Sequence, residues 1–177
     1  MKSATVSHSV KEKLLGASQK LMLEKGFTAT SVDEICEAAG VTKGSFFHYF
    51  ENKEDLGKAV AEYYWQTMRA AWNDAPFRKH SDPFKRVCGF IDFFVALSKD
   101  RGVEQRCLLG NFAQELSDTH PDIRNVCAEC FTEWAEDLKK DLDATKEKYL
   151  PKKHLDTKSI AEYIVATMEG SLLLAKA

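Results

Sequence analysis

Three groups of residues in this sequence carry side chains that could do chemistry. The first is the run Thr42-Lys43-Gly44-Ser45-Phe46-Phe47-His48-Tyr49-Phe50. On a helix Phe46 and Phe50, four apart, share one face and point inward, which leaves Lys43, Gly44, Phe47 and His48 on the opposite face, free to enter a groove. The second is Cys107, which follows Arg101, Gly102 and Arg106 and opens a short helical pattern. A helix N-terminus and nearby cations lower a thiol's pKa and favour the reactive thiolate. The alternative is a buried cysteine acting as a small hydrophobe. The third is the pair Cys127 and Cys130, a CxxC without a second pair, set inside a strongly helical pattern. A metal site there would need His120 or His154 to arrive by folding, so no metal and no cofactor is expected.

These groups must be positioned by helices. From about Ser9 to Glu24, Val10, Leu14, Ala17 and Leu21 recur at helical spacing, and Gly26 ends the run. Thr30 with Asp33, or Ser31 with Glu34, makes a capping-box start for a short helix through Ile35 to Ala39. Gly40 stops it and Val41 plugs the junction, while Thr42 caps a third helix through Phe50. Two short helices joined by Ala39-Gly40-Val41 have the geometry of a helix-turn-helix. Asn52 and Asp55 cap a fourth, longer helix. Asp82-Pro83 opens a helix through Phe90, Phe93, Phe94 and Leu97, a short one runs from about Cys107 to Leu116, and Pro121 begins a long one to roughly Tyr149. The last starts at Asp156 or Thr157 and is still running at Ala177. No period-two pattern competes, so the expected class is all-α.

The last helix is apolar around much of its axis, through Ile160, Ala161, Ile164, Val165, Met168 and Leu172 to Leu174. A helix hydrophobic on most sides must be buried on most sides, and a chain of 177 residues offers too little cover alone. A dimer interface is therefore expected, built from Ile164, Met168 and Leu172 with Phe131, Trp134 and Leu138 of the long helix. Gly170 either permits close helix approach or is merely tolerated. Trp65, Phe90, Phe94 and Phe112 are candidates to line an apolar pocket, or plain core. Gln114 and Glu115 are polar groups for that pocket or for the surface.

Composition narrows the function. Net charge is −2, and residues 1–58 hold eight lysines against eight acidic residues, so nothing advertises nucleic acid by bulk charge. Any DNA contact rests on where particular residues sit. No apolar run is long enough for a bilayer, the polar start lacks a secretory core, and five cysteines do not make a disulfide framework, which together lead to the expectation of a cytoplasmic protein. No Ser-His-Asp order, metal-ligand helix motif or phosphate-cradling glycine loop supports an enzyme. The competing class is a helical ligand-binding or interaction protein that does not touch DNA.

The segment AAGVTKGSFFHYFENKEDL, residues 38–56, resembles the TetR family of bacterial transcriptional regulators. The resemblance implies a three-helix helix-turn-helix domain, residues 1–55, followed by an effector-binding and dimerising bundle, residues 56–177. It implies a repressor released from a double-stranded operator by a small molecule. Carried over by position, Thr42, Lys43, Gly44, Phe47 and His48 meet bases or sugars, Tyr49 and Lys53 hold phosphates, and Thr30 or Ser31 offers a helix N-terminus. Tyr49 as a packing residue is the alternative. The family usually has tyrosine where Phe47 stands, so one hydroxyl contact is absent. The shorter segment CLLGNFAQELS resembles the electrophile-responsive, N-ethylmaleimide-repressor-like branch, which implies that Cys107 senses and that Lys176 assists it.

Overall fold

The computed structural model describes residues 9–99 and 107–176, the side chains of 97–99 and 176 apart. Arg101, Gly102, Arg106 and the side chain of Lys176 thus lie outside the described residues. Within them the chain is all-α: α1 (Val10–Lys25), α2 (Val32–Ala39), α3 (Lys43–Tyr49), α4 (Lys53–Asn73), a single 3₁₀ turn (Pro76–Lys79), α5 (Pro83–Lys99), α6 (Leu108–Leu116), α7 (Pro121–Tyr149) and α8 (Thr157–Lys176).

Local chemistry sets these boundaries. Ser9 and Glu12 form a reciprocal capping box at α1, and Ser31 with Glu34 forms the one at α2. Of the two starts legible for α2, Ser31 is the cap. Gly40 adopts a left-handed conformation (φ 64°, ψ 38°), and the amides of Gly40 and Val41 return to the carbonyls of Glu37 and Cys36. That closes α2 with a Schellman turn and swings the chain into α3. Thr42 accepts from the Ser45 amide, Asn52 from Asp55, and Asp156 from Lys158 and Ser159.

Packing then joins the helices. Phe46 and Phe50 are buried with Leu14, Ile35 and Leu56, so the short α3 is held by its inward aromatics. In the C-terminal half α7 packs on α4, α5, α6 and α8. Its centre is an aromatic cluster: Trp72 stacks on Trp134 at 5.7 Å, meets Trp65 edge-on at 5.1 Å and Phe90 at 5.6 Å, and Phe94 lies 5.6 Å from Trp134. Such pairs add about 0.5–1.5 kcal/mol each beyond area burial. Buried Asp141 of α7 ties Arg78 (2.6 Å) and Arg86 (2.7 Å), fixing the 3₁₀ turn and α5 to the long helix. The expected domain boundary at 55/56 is crossed by α4, one continuous helix that packs on both α1 and α7.

Candidate DNA-binding face and effector site

The outer face of α3 follows directly from its inner face. With Phe46 fully buried, Thr42, Lys43, Gly44, Phe47, His48 and Tyr49 are all exposed, Phe47 at 58% and Tyr49 at 40%. An aromatic ring left that open costs free energy in water, and here two stand beside an imidazole: His48 and Tyr49 meet edge-on at 4.8 Å. Tyr49 is therefore not a core residue. Lys43 pairs with Asp33 of α2 at 2.6 Å, but both side chains are more than 60% exposed. Such a surface pair is worth at most about 1 kcal/mol, so a phosphate can displace it. Ser31 is exposed at the start of α2, beside this face.

Two expected contacts are turned inward instead. Thr30 is fully buried, and its hydroxyl donates to the Gly26 carbonyl at 2.7 Å. Lys53 donates its ammonium protons to the carbonyls of Phe27 (3.1 Å), Thr28 (3.4 Å) and Thr30 (3.1 Å), with the Phe27 ring 4.5 Å from the charge. A cation so satisfied is a clamp on the α1–α2 loop rather than a free phosphate ligand. The reason is three-dimensional: the loop folds back over the first turn of α4.

The same loop is also gripped from α6. Glu115, near the end of α6, accepts from the amides of Phe27 (2.9 Å) and Thr28 (2.7 Å). Partial burial works its pKa upward, but the hydrogen bonds from Thr28 and Phe27 and the charge of Lys53 outweigh this and hold the carboxyl below the usual range. Sequence reasoning left Glu115 between pocket and surface: it is exposed, and from that surface position it forms a polar link between the C-terminal half and the helix-turn-helix.

Cys107 caps α6 at the other end of that helix and is buried. The expectation of a lowered pKa is corrected here. Burial pushes the thiol well up, the neighbouring Glu169 carboxyl of α8 adds to this, and the amides of Gly110 and Leu109 pull down without offsetting them. Tyr64 of α4 completes the cluster, its phenol likewise raised well above the ordinary value by burial, then by Cys107 and Glu169. Glu169 escaped sequence reasoning, though a signal existed: it is the one acid amid Val165, Met168 and Leu172 on the inward side of α8. Cys127 and Cys130 are buried and their thiols are pushed up to about 12, first by burial, and buried Cys36 is raised for the same reason, whereas Cys88 is exposed.

A cleft of about 590 Å³ lies between α6, α7 and α8, walled by Phe131, Ala135, Val165 and Ala166 and reaching Glu169. None of the aromatics expected to line a pocket borders this cleft, although Trp65 borders a separate one of about 320 Å³ between α4 and α7. Trp65, Phe90 and Phe112 are at most 5% exposed, and with half-buried Phe94 they pack as solid core. The expected dimer residues divide: Trp134, Leu138 and Met168 are buried inside their own chain, Trp134 against the aromatics of α4 and α5, whereas Phe131, Ile164 and Leu172 are half-buried. The large apolar groups that α8 leaves open are Tyr163, Leu173 and Leu174, exposed at 71%, 46% and 78%. No described helix is long and apolar enough to cross a membrane.

Comparison with known proteins completes the picture. Residues 14–60 match the model for bacterial regulatory proteins of the tetR family, and residues 83–177 match the tetracyclin repressor-like C-terminal domain. The transcriptional regulator AcuR of Cereibacter sphaeroides is 33% identical, over 98% of this chain and 78% of its own length. The repressor DhaR of Mycobacterium sp. is 25% identical over 94% and 82%. The crystal structure of reduced NemR from E. coli superposes with a TM-score of 0.83 at 25% identity, covering 96% of this chain and 88% of that one. A helix-turn-helix with an open outer face on α3, joined to a helical domain matched over residues 83–177, places this chain in the TetR family as a DNA-binding transcriptional regulator.

Proposed function

We propose that the protein represses transcription from a near-palindromic operator, as a two-fold dimer whose heads each read one half-site, and that an electrophile reaching Cys107 releases it. The observation that carries the DNA reading is the outer face of α3, where Thr42, Lys43, Gly44, Phe47, His48 and Tyr49 stand exposed over a fully buried Phe46. Phe47 can lie on a thymine methyl, Lys43 and Tyr49 on phosphates, and Ser31 presents the start of α2 to the backbone. Residues 1–55 supply the reading head and 56–177 the effector and dimer domain, joined through α4. The chain works in the cytoplasm, where DNA and reduced thiols coexist.

The dimer face that fits best is the open side of α8. Tyr163, Thr167 and Leu174 share it at helical spacing, and all three are exposed. Release follows from the links of α6. Modification at Cys107 disturbs the N-terminus of a helix whose other end holds the Phe27 and Thr28 amides through Glu115, and a bias of a few kcal/mol suffices to change head spacing.

The test is titration of the protein's own upstream DNA, with and without a quinone or aldehyde, for wild type and Cys107→Ser. Specific duplex binding that the electrophile abolishes only in wild type is the expected result. Equal release of both proteins removes Cys107 from the mechanism, and absence of specific binding removes the repressor reading.

A further inference from the structure

Beneath the cleft, a small cavity of about 20 Å³ is bounded by Cys107, Gly110, Gln114, Glu169 and Leu172. It shares Gly110, Gln114, Glu169 and Leu173 with the large cleft, so Glu169 stands between the thiol and the open space. The carboxylate reaches this position because residue 110 has no side chain: a methyl there would lie 2.3 Å from Glu169 Oε2 and 3.6 Å from Cys107 Cβ. Acid and thiol thus lie against the same bare patch of α6. The second oxygen, Glu169 Oε1, is buried and has no hydrogen-bond partner among the described residues. A buried carboxylate oxygen without a donor is expensive, and its retention asks for a task.

We propose that Glu169 is the general base of the sensing thiol, taking the proton of Cys107 as its sulfur adds to a small α,β-unsaturated carbonyl compound held in the cleft. The proposal rests on the reading of Cys107 as the sensor. As the S–C bond forms at the β-carbon, the π pair of the alkene moves toward the carbonyl. The proton passes from Sγ to the Glu169 carboxylate and then to the α-carbon of the ligand. No oxidant or further reactant is consumed. Phe131, Ala135 and Val165 supply an apolar bed for the rest of the ligand.

The need for a base is physical. A thiol pushed well above 9 by burial holds less than about one part in a hundred as thiolate at neutral pH, so it cannot react by its own ionisation at a useful rate. Burial also raises the Glu169 carboxyl, which brings the proton affinities of donor and acceptor closer and makes the acceptor a stronger base. The titratable and charged groups around the pair are Tyr64 from α4, Glu136 and Lys139 from α7, and Lys158 and Glu162 farther along α8.

The experiment is the rate of Cys107 adduct formation with methyl vinyl ketone, from pH 5 to 9.5, in wild type and Glu169→Gln, with adducts mapped by mass spectrometry. Exposed Cys88 in the same sample is the internal standard for reagent. The wild-type rate should level off once the carboxyl has ionised. Glu169→Gln should be slower by about 10²-fold at pH 7 and should rise tenfold per pH unit toward the thiol's own ionisation. An equal or faster reaction overturns the proposal, because removing a mere like-charged neighbour makes the thiol easier to ionise. A wild-type rate that climbs tenfold per unit through pH 9 without levelling also overturns it, and needs no variant. If wild-type Cys107 takes no adduct while Cys88 does, the sensor reading falls and the base with it. A reaction insensitive to Glu169 leaves the sensor standing.

Discussion

The outer face of α3 and the Cys107–Glu169–Tyr64 cluster are opposites in how they hold reactive groups. On α3 every candidate side chain is in water and its partners are weak: Lys43 leans on an exposed Asp33, and the Phe47 ring meets that of its neighbour Phe46 edge-on. In the cluster three titratable groups face one another without a cation among the described residues that contact them, so each is pushed toward its protonated form. Water is the resource of the first region, since counterions and solvent can leave when DNA arrives. Exclusion of water is the resource of the second, since proton affinity there is set by neighbours. One surface is ready by being exposed; in the mechanism proposed above, the other reacts only when a specific molecule brings its own electrophilic carbon.

If the regions are this distinct, they should fail separately. The largest effect belongs to Phe46→Ala. Emptying a site at 0% exposure costs about 3–5 kcal/mol, a large share of a small domain's stability. Operator binding should be lost while the rate of Cys107 alkylation stays within twofold, and simultaneous loss of both would show that the halves unfold as one. Next is Glu115→Gln, which weakens the bridge between them. The variant should still bind operator, yet respond to electrophile with a visibly smaller drop in affinity. Its cost in stability is about 1 kcal/mol, since the carboxylate is partly solvated. The sign with pH is fixed by the lowered carboxyl: its contribution is complete at neutral pH and is lost as acid takes the pH below the ordinary carboxylate range and through the lowered folded value. Thermal melts of the Gln variant should lack that acid-dependent step. The smallest effect sharpens the α3 side alone. Lys43→Ala should reduce the salt dependence of operator binding by about one unit in log-log slope, whereas Lys53→Ala should lower the melting temperature and leave the slope unchanged. A slope change for Lys53 would mean that its ammonium leaves the loop carbonyls for phosphate.

The helix-turn-helix was legible because its determinants are local. Ser31 with Glu34, Gly40 in its left-handed turn, and Phe46 with Phe50 lie within twenty residues, and caps, turns and helical spacing decide what they do. What stayed hidden depends on separations the chain closes only by folding. Lys53 finds carbonyls more than twenty residues away, Glu115 finds amides nearly ninety away, and Glu169 meets Cys107 from more than sixty residues along the chain. Periodicity marked α8 as too apolar for a lone chain, but not which side α7 would cover. Trp134, Leu138 and Met168 are therefore spent inside the chain, Trp134 on the aromatics of α4 and α5, while the side carrying Tyr163 and Leu174 stays open. Cys107 shows a different limit. A helix N-terminus does favour thiolate, and the amides of Gly110 and Leu109 pull that way, yet burial is the larger effect and it is not written in the neighbouring sequence.

The Glu115 grip on the α1–α2 loop also gives the molecule a kinetic signature. The amide hydrogens of Phe27 and Thr28 are bonded to a side chain from a distant helix rather than to their own secondary structure. Their exchange with solvent deuterium therefore has to wait for α6 to let go, whatever the local stability of α1 and α2. These two peptide groups are a clock for the uncoupled state, running slowly while the halves are engaged and faster in proportion to the time they spend apart.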